Sequence, residues 1–282
     1  MQAIFPHINN NHQRIQKQSN VNFKAGLTPK IMQEINKTDV MELSRKLTQK
    51  GIPNDFKGNK ILAWCCDKTV DIFQQLNQRF GLNLTLPKEI YVEDFRKLNV
   101  DNPQMYGFCN LAPFELRKGS SKTVPSRVIF LNDLHRWENI DSISNRRYKE
   151  KFASTDFFLD IPFHEFIHSA QENRLLDLYD GEILLEKLQS LKDSKQIARY
   201  QEKYGAKVSK ISKYALNDPM DAVACDLSRR IANSIDRGNL TPIKNPFAGI
   251  PYQDNLSSFQ KLQLKLSPLN NALRDFWNGN FE

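Results

Sequence analysis

Hydrophobic positions along this chain recur first at a helical period, then in short strand-like runs, then at a helical period again. From Leu27 to Gly51, the residues Ile31, Ile35, Val40, Leu43 and Leu47 follow the start signal Thr28-Pro29, which predicts one or two short helices. Between Asn59 and Phe80, Val70, Phe73, Leu76 and Phe80 mark one face of a longer helix, and Gly81 stands where a stop residue belongs. Three runs have strand character: Glu89-Ile90-Tyr91-Val92, Met105 to Cys109, and most strongly Arg127-Val128-Ile129-Phe130-Leu131. Helical spacing returns with Asp160 as the expected N-cap and Pro162 in the first turn, and continues through Phe166, Ile167, Ala170, Leu175 and Leu178. Further helices are predicted from Glu182 to about Tyr204, from Asp218-Pro219 through Val223, Leu227, Ile231 and Ile235 to a stop at Gly238, and over Leu256 to Leu269. Helix, three strands, then helices is the order of an α+β fold with a small mixed sheet and a mostly helical C-terminal half.

Punctuation divides the chain further. Residues 1–24 are rich in Asn, Gln and His without an apolar period and are expected to form a flexible tail. Residues 25–56 form a helical N-terminal extension, 57–238 the main domain, and 239–282 a Pro-containing loop and a helix packing back on it. With 282 residues, 40% of them hydrophobic and 18 of them Phe, the chain is long enough to bury a sizeable core and too aromatic to be disordered. The net charge of +8 is uneven: residues 187–213 carry eight Lys and Arg against two acids. That excess can attract an acidic partner, but it is also what a solvated helix face looks like. No helix-turn-helix or zinc-ribbon spacing accompanies it, so nucleic acid is not expected as a partner. The four cysteines, Cys65, Cys66, Cys109 and Cys225, lack paired spacing and are expected to be free core residues. There is no secretory signal at the start and no apolar run of about 18 residues, so no membrane span is expected. Cytoplasmic residence and export by a leaderless route both stay open, and nothing in the sequence indicates an oligomeric state.

The chemistry concentrates in His164-Glu165-Phe166-Ile167-His168. Residues four apart share a helix face, so both imidazoles can meet one metal ion, while Glu165 points to a neighbouring direction from which it can deprotonate an activated water. With five His in the chain, chance produces this pattern on the order of one per cent of the time. The plain alternative is an amphipathic helix with two surface His and a solvated Glu. A catalytic zinc ordinarily takes three protein ligands, so a third is required. Asp221, in the first turn of the later helix, is the best candidate, although Asp218 and Asp221 also resemble a capping pair. Glu172 competes as a third member of the His164, His168 stripe, but a helical row diverges over two turns, which suits it better to an outer acceptor or a plain surface acid. His135 has no motif support.

Taken with the downstream Tyr214-Ala215-Leu216-Asn217-Asp218-Pro219-Met220-Asp221, in which Tyr214 stands seven residues before an acid, the motif resembles the gluzincin branch of zinc metallopeptidases. It is most similar to anthrax lethal factor-like catalytic domains, over roughly residues 57–236. The resemblance implies a zincin-like fold in which residues 57–238 are the catalytic domain of a zinc metalloendopeptidase acting on a peptide or protein substrate. It implies Zn2+ bound by His164, His168 and Asp221, Glu165 as general base, Tyr214 donating to the developing oxyanion, and an edge strand at Arg127 to Leu131 that pairs with the substrate. The family usually has Glu where this chain has Asp221. That departure keeps a second possibility in view, a catalytically inactive zincin-like binding or scaffolding module; a nucleic-acid binder, suggested by charge alone, ranks behind both.

Overall fold

Local signals set the helix ends. Thr28 accepts the Ile31 N–H at the start of α1 (Pro29–Lys37), and Asp39 accepts that of Met41 at the start of α2 (Val40–Gln49). A short strand β1 (Asn54–Asp55) precedes α3 (Lys60–Phe80), where Asn59 caps the Leu62 N–H and Gly81 ends the helix in the left-handed conformation. The computed structural model describes residues 27–82, 84–121, 123–170 and 193–247, together with 269, 271, 272, 275 and 276. The predicted N-terminal tail lies outside the described residues, as do Glu172 and most of the segment expected to form the C-terminal helix. Among the described residues no helix is long and apolar enough to cross a membrane.

The remaining strands are β2 (Glu89–Glu93), β3 (Gly107–Cys109), β4 (Phe114–Glu115), β5 (Thr123–Val124), β6 (Val128–Asn132), β7 (Ile235–Asp236) and β8 (Thr241–Pro242). Four of them form a mixed sheet in the order β1-β2-β6-β3, with β1/β2 and β2/β6 parallel and β3/β6 antiparallel. Every residue of β6 is buried. Its alternating side chains serve two cores: Ile129 and Leu131 join the large one under the helices, Val128 and Phe130 a smaller one with Phe95, Leu98 and Val124. Burial on both faces explains the unbroken apolar run, which carries no alternation. It also corrects the expected substrate edge: β6 is paired on both sides, and the outer strand on the site's flank is β3. Arg127 belongs to no strand, because it turns in the left-handed region at φ 66° just before β6.

Further helices follow. Among the described residues these are α4 (Ile140–Lys149), α5 (Asp160–Ala170), α6 (Ser194–Val208) and α7 (Pro219–Ala232). The hydrophobic pattern misses α4, whose buried face includes Ser144 and Arg147 beside Ile140 and Ile143. Asp160 is the first residue of α5 rather than a residue outside it, and its carboxylate pairs with Arg147. The described part of the helix expected from Glu182 to Tyr204 is α6, which runs on to Val208. Helix α7 ends at Ala232, and Ile235 passes into the β7/β8 pair instead of extending the helix. All eleven residues of α5 are buried, packed against α3, α7, β3 and β6. Phe73 of α3 meets two of them, with ring centroids 6.3 Å from Phe163 and 5.6 Å from Phe166. Ile31, Ile35 and Leu47 of the N-terminal helices, and Leu269, Ala272 and Phe276 near the C-terminus, share the same apolar core. None of the four cysteines forms a disulfide, and all four are buried. Replacing the fully buried ring in Phe166→Ala is expected to lower the unfolding free energy by about 3–5 kcal/mol, read from the urea midpoint.

Candidate metal centre

Helix α5 turns His164, Glu165 and His168 toward one cleft, and α7 lies directly against it. The way α7 begins settles how Asp218 and Asp221 divide their tasks. Asp218 is the N-cap: its Oδ1 accepts the backbone N–H of Asp221 at 2.9 Å, and Pro219 occupies the first turn. Asp221 contributes only its backbone to the cap, which frees its carboxylate to face α5. One oxygen, Oδ2, accepts a hydrogen bond from Asn217 Nδ2 at 2.8 Å. The other, Oδ1, lies 3.4 Å from His164 Nε2 and 3.2 Å from His168 Nε2.

The two Nε2 atoms are 3.0 Å apart, so two nitrogens and one oxygen form a nearly equilateral triangle. A tetrahedral ion with bonds of about 2.0–2.1 Å holds its ligand atoms about 3.3–3.4 Å from one another. One face of such a tetrahedron therefore fits these three atoms with small adjustment, and the donor set of two imidazoles and a carboxylate is one that suits a borderline-soft cation. The short Asp221 side chain reaches both imidazoles because α7 packs closely on α5. His135 takes no part. Its ring stacks on Tyr106 with centroids 4.0 Å apart, and its Nε2 hydrogen-bonds the Met105 carbonyl.

Electrostatics separate the acids of the cleft. Burial pushes the Glu165 carboxyl above the usual carboxylate range, with the neighbouring imidazoles opposing only part of that rise. Burial acts on Asp221 in the same direction, but hydrogen bonds and charge from His164 and His168 outweigh it and hold this carboxyl below its ordinary value. Burial and the charge of Asp221 together push Asp218 up. Tyr214 sits in a short 3-10 turn over Tyr214–Leu216, its ring 6.1 Å from that of His164. Burial raises its phenol above the ordinary value, so at neutral pH it remains a hydroxyl able to donate.

All five residues singled out by sequence, His164, Glu165, His168, Tyr214 and Asp221, line this one cleft of about 370 Å3. Other lining residues escaped notice. Gly107 opens the edge strand, and a Cβ there would come within 3.3 Å of Glu165 Cγ and 3.1 Å of the Phe130 carbonyl oxygen. Tyr106 and Phe108 flank it, and Arg147 reaches in from α4. A glycine between two aromatics in a strand-like run was a legible signal for close approach. Arg147 had none, because only the fold brings it to the site. No family model, curated protein or solved structure matches the chain, so function has to be argued from the site itself.

Two outcomes follow from this geometry. Glu165→Gln should make the metal-free protein more stable than wild type at neutral pH, because a raised carboxyl pKa means that ionisation costs folded-state stability. The gain should shrink as pH falls through the raised pKa of Glu165 and disappear below the ordinary carboxylate range, where both states are protonated; thermal melts across pH would show this. Gly107→Ala should displace the Glu165 side chain or the edge strand while the protein stays folded, visible as chemical-shift changes confined to β3 and α5.

Proposed function

We propose that the chain is a zinc metalloendopeptidase of zincin-like fold, with Zn2+ held by His164, His168 and Asp221. The observation that carries this is the triangle formed by His164 Nε2, His168 Nε2 and Asp221 Oδ1, with edges of 3.0–3.4 Å, beside a carboxyl that belongs to none of its corners. When bound, the ion supplies Lewis acidity, polarising a water and a substrate carbonyl.

The chain's own residues divide the remaining work. Glu165, with a carboxyl already biased toward holding a proton by burial, takes the proton of the attacking water and returns it to the leaving amine. Tyr214 donates its hydroxyl hydrogen to the carbonyl oxygen as negative charge gathers there. Asn217 fixes the Asp221 carboxylate through Oδ2 and so keeps Oδ1 turned toward the imidazoles. The outer edge of β3 lines the cleft, and an extended peptide laid along it gains backbone hydrogen bonds without needing a particular sequence. Gly107, with no side chain, lets the edge strand itself lie close against Glu165.

The presence of Asp rather than Glu at position 221 does not favour an idle binding module, because its Oδ1 lies within 3.4 Å of both imidazoles. The test is metal content with turnover. After dialysis against metal-free buffer and addition of zinc, wild type is expected to retain about one equivalent, and His168→Ala and Asp221→Ala none. Zinc-loaded Glu165→Gln should keep its metal and cleave a combinatorial peptide pool at least about 100-fold more slowly than wild type. A wild-type protein that takes up no zinc would sink the proposal.

A further inference from the structure

Arg147 is a buried cation in the cleft that the chemistry above leaves without a task. Its side chain is 10% exposed, and its Nη1 donates to Asp160 Oδ2 at 3.0 Å, where α5 begins. The guanidinium carbon lies 5.3 Å from the ring centroid of Tyr106, immediately before the edge strand, and 5.6 Å from that of Tyr214. One planar group thus faces three of the segments around the cleft: the strand side, the start of α5, and the turn carrying Tyr214. The two aromatic contacts are themselves braced. Tyr106 stacks on His135 and receives a hydrogen bond on its hydroxyl oxygen from Arg146 at 2.8 Å, and Phe152 packs edge-on against Tyr214 at 6.0 Å.

Stability alone is a poor reason to keep this arrangement. A buried Arg–Asp pair gives up hydration on both partners, and apolar residues of similar volume often serve a fold as well. Here Arg147 Nε is also buried without a hydrogen-bond partner among the described residues. What the guanidinium offers that an apolar side chain does not is a flat cation that fits between two ring systems while it is anchored by a carboxylate.

We propose that Arg147 is the positioning residue for Tyr214, fixing the phenol across the cleft from the edge strand so that its hydroxyl meets the substrate carbonyl. The role of Tyr214 in this statement rests on the metallopeptidase proposal; the Arg147–Tyr214 contact does not. Lysine is a poor replacement, since it keeps the charge but loses the plane and the fixed fork.

The experiment compares zinc-supplemented wild type, Arg147→Met, Arg147→Lys, Tyr214→Phe and the Arg147→Met/Tyr214→Phe double variant. Three quantities are read: zinc content, cleavage of the combinatorial peptide pool, and the 13Cζ NMR resonance of Tyr214, assigned by its disappearance in Tyr214→Phe. Arg147→Met should keep one zinc, shift the Tyr214 resonance, and lose about 100-fold in kcat with KM little changed, the size of effect a misplaced catalytic group produces. Arg147→Lys should lose nearly as much. The double variant should be no slower than Tyr214→Phe alone, because a residue acting through Tyr214 has nothing left to act on. A Tyr214 resonance unmoved in both Arg147 variants, or losses that multiply in the double variant, would overturn the proposal. Wild type without zinc would overturn the metallopeptidase proposal instead, and the resonance would still decide whether Arg147 holds Tyr214.

Discussion

Burial of α5 along its whole length, despite the two imidazoles and two carboxylates it carries, is the constraint on which the rest of the cleft depends. An uncompensated buried charge costs several kcal/mol, so the ionisable groups on this helix gain from partners on other elements. Asp160 obtains Arg147 from α4, and His164 and His168 obtain Asp221 from α7. Helices that are far apart in sequence are held to α5 by polar contacts as well as by apolar packing. Burial raises both carboxyls of the helix above their ordinary range, with Arg147 opposing the rise at Asp160 and the two imidazoles opposing it at Glu165. On the proposed reading Glu165 is the group that accepts and releases a proton, so a charge that burial disfavours stands where the chemistry needs it, which is the usual tension between stability and function.

Much of this was legible in the sequence where the physics is local. The span of α3 follows from its apolar spacing and from Asn59 and Gly81; the start of α7 follows from Asp218-Pro219. The i, i+4 spacing of His164 and His168 was enough to put two ring nitrogens side by side, and the seven-residue step from Tyr214 to Asp221 spans the short turn that leads into α7. The overlap between capping and ligation at Asp218 and Asp221 could not be separated by spacing. The cap uses the backbone N–H of Asp221, so it does not occupy the carboxylate that faces the two imidazoles.

What was not legible depends on long-range placement. A run of five apolar residues marks β6 as buried on two faces, but says nothing about which neighbour is the edge; the pairing of Gly107 with Leu131 decides that. Helix α4 hides from periodicity because Arg147 sits on its buried face, and the reason it can do so, Asp160, lies 13 residues away. Ile235 fits the helical period of α7, but the chain leaves the helix after Ala232 because Ile235 and Asp236 pair with Pro242 and Thr241.

The shape of the sheet margin has one further consequence. An open strand edge exposes unpaired backbone groups and invites pairing with another molecule's sheet, which soluble proteins normally prevent with charge, proline or distortion. Here β3 is three residues long, backed by the stacked rings of Phe108 and Phe130, and set into the wall of a cleft. A single extended chain can lie against such a margin, while a broad sheet from a neighbouring molecule meets the walls first. On the proposed reading, recessing the strand keeps an adhesive edge for one guest without offering a seed for aggregation.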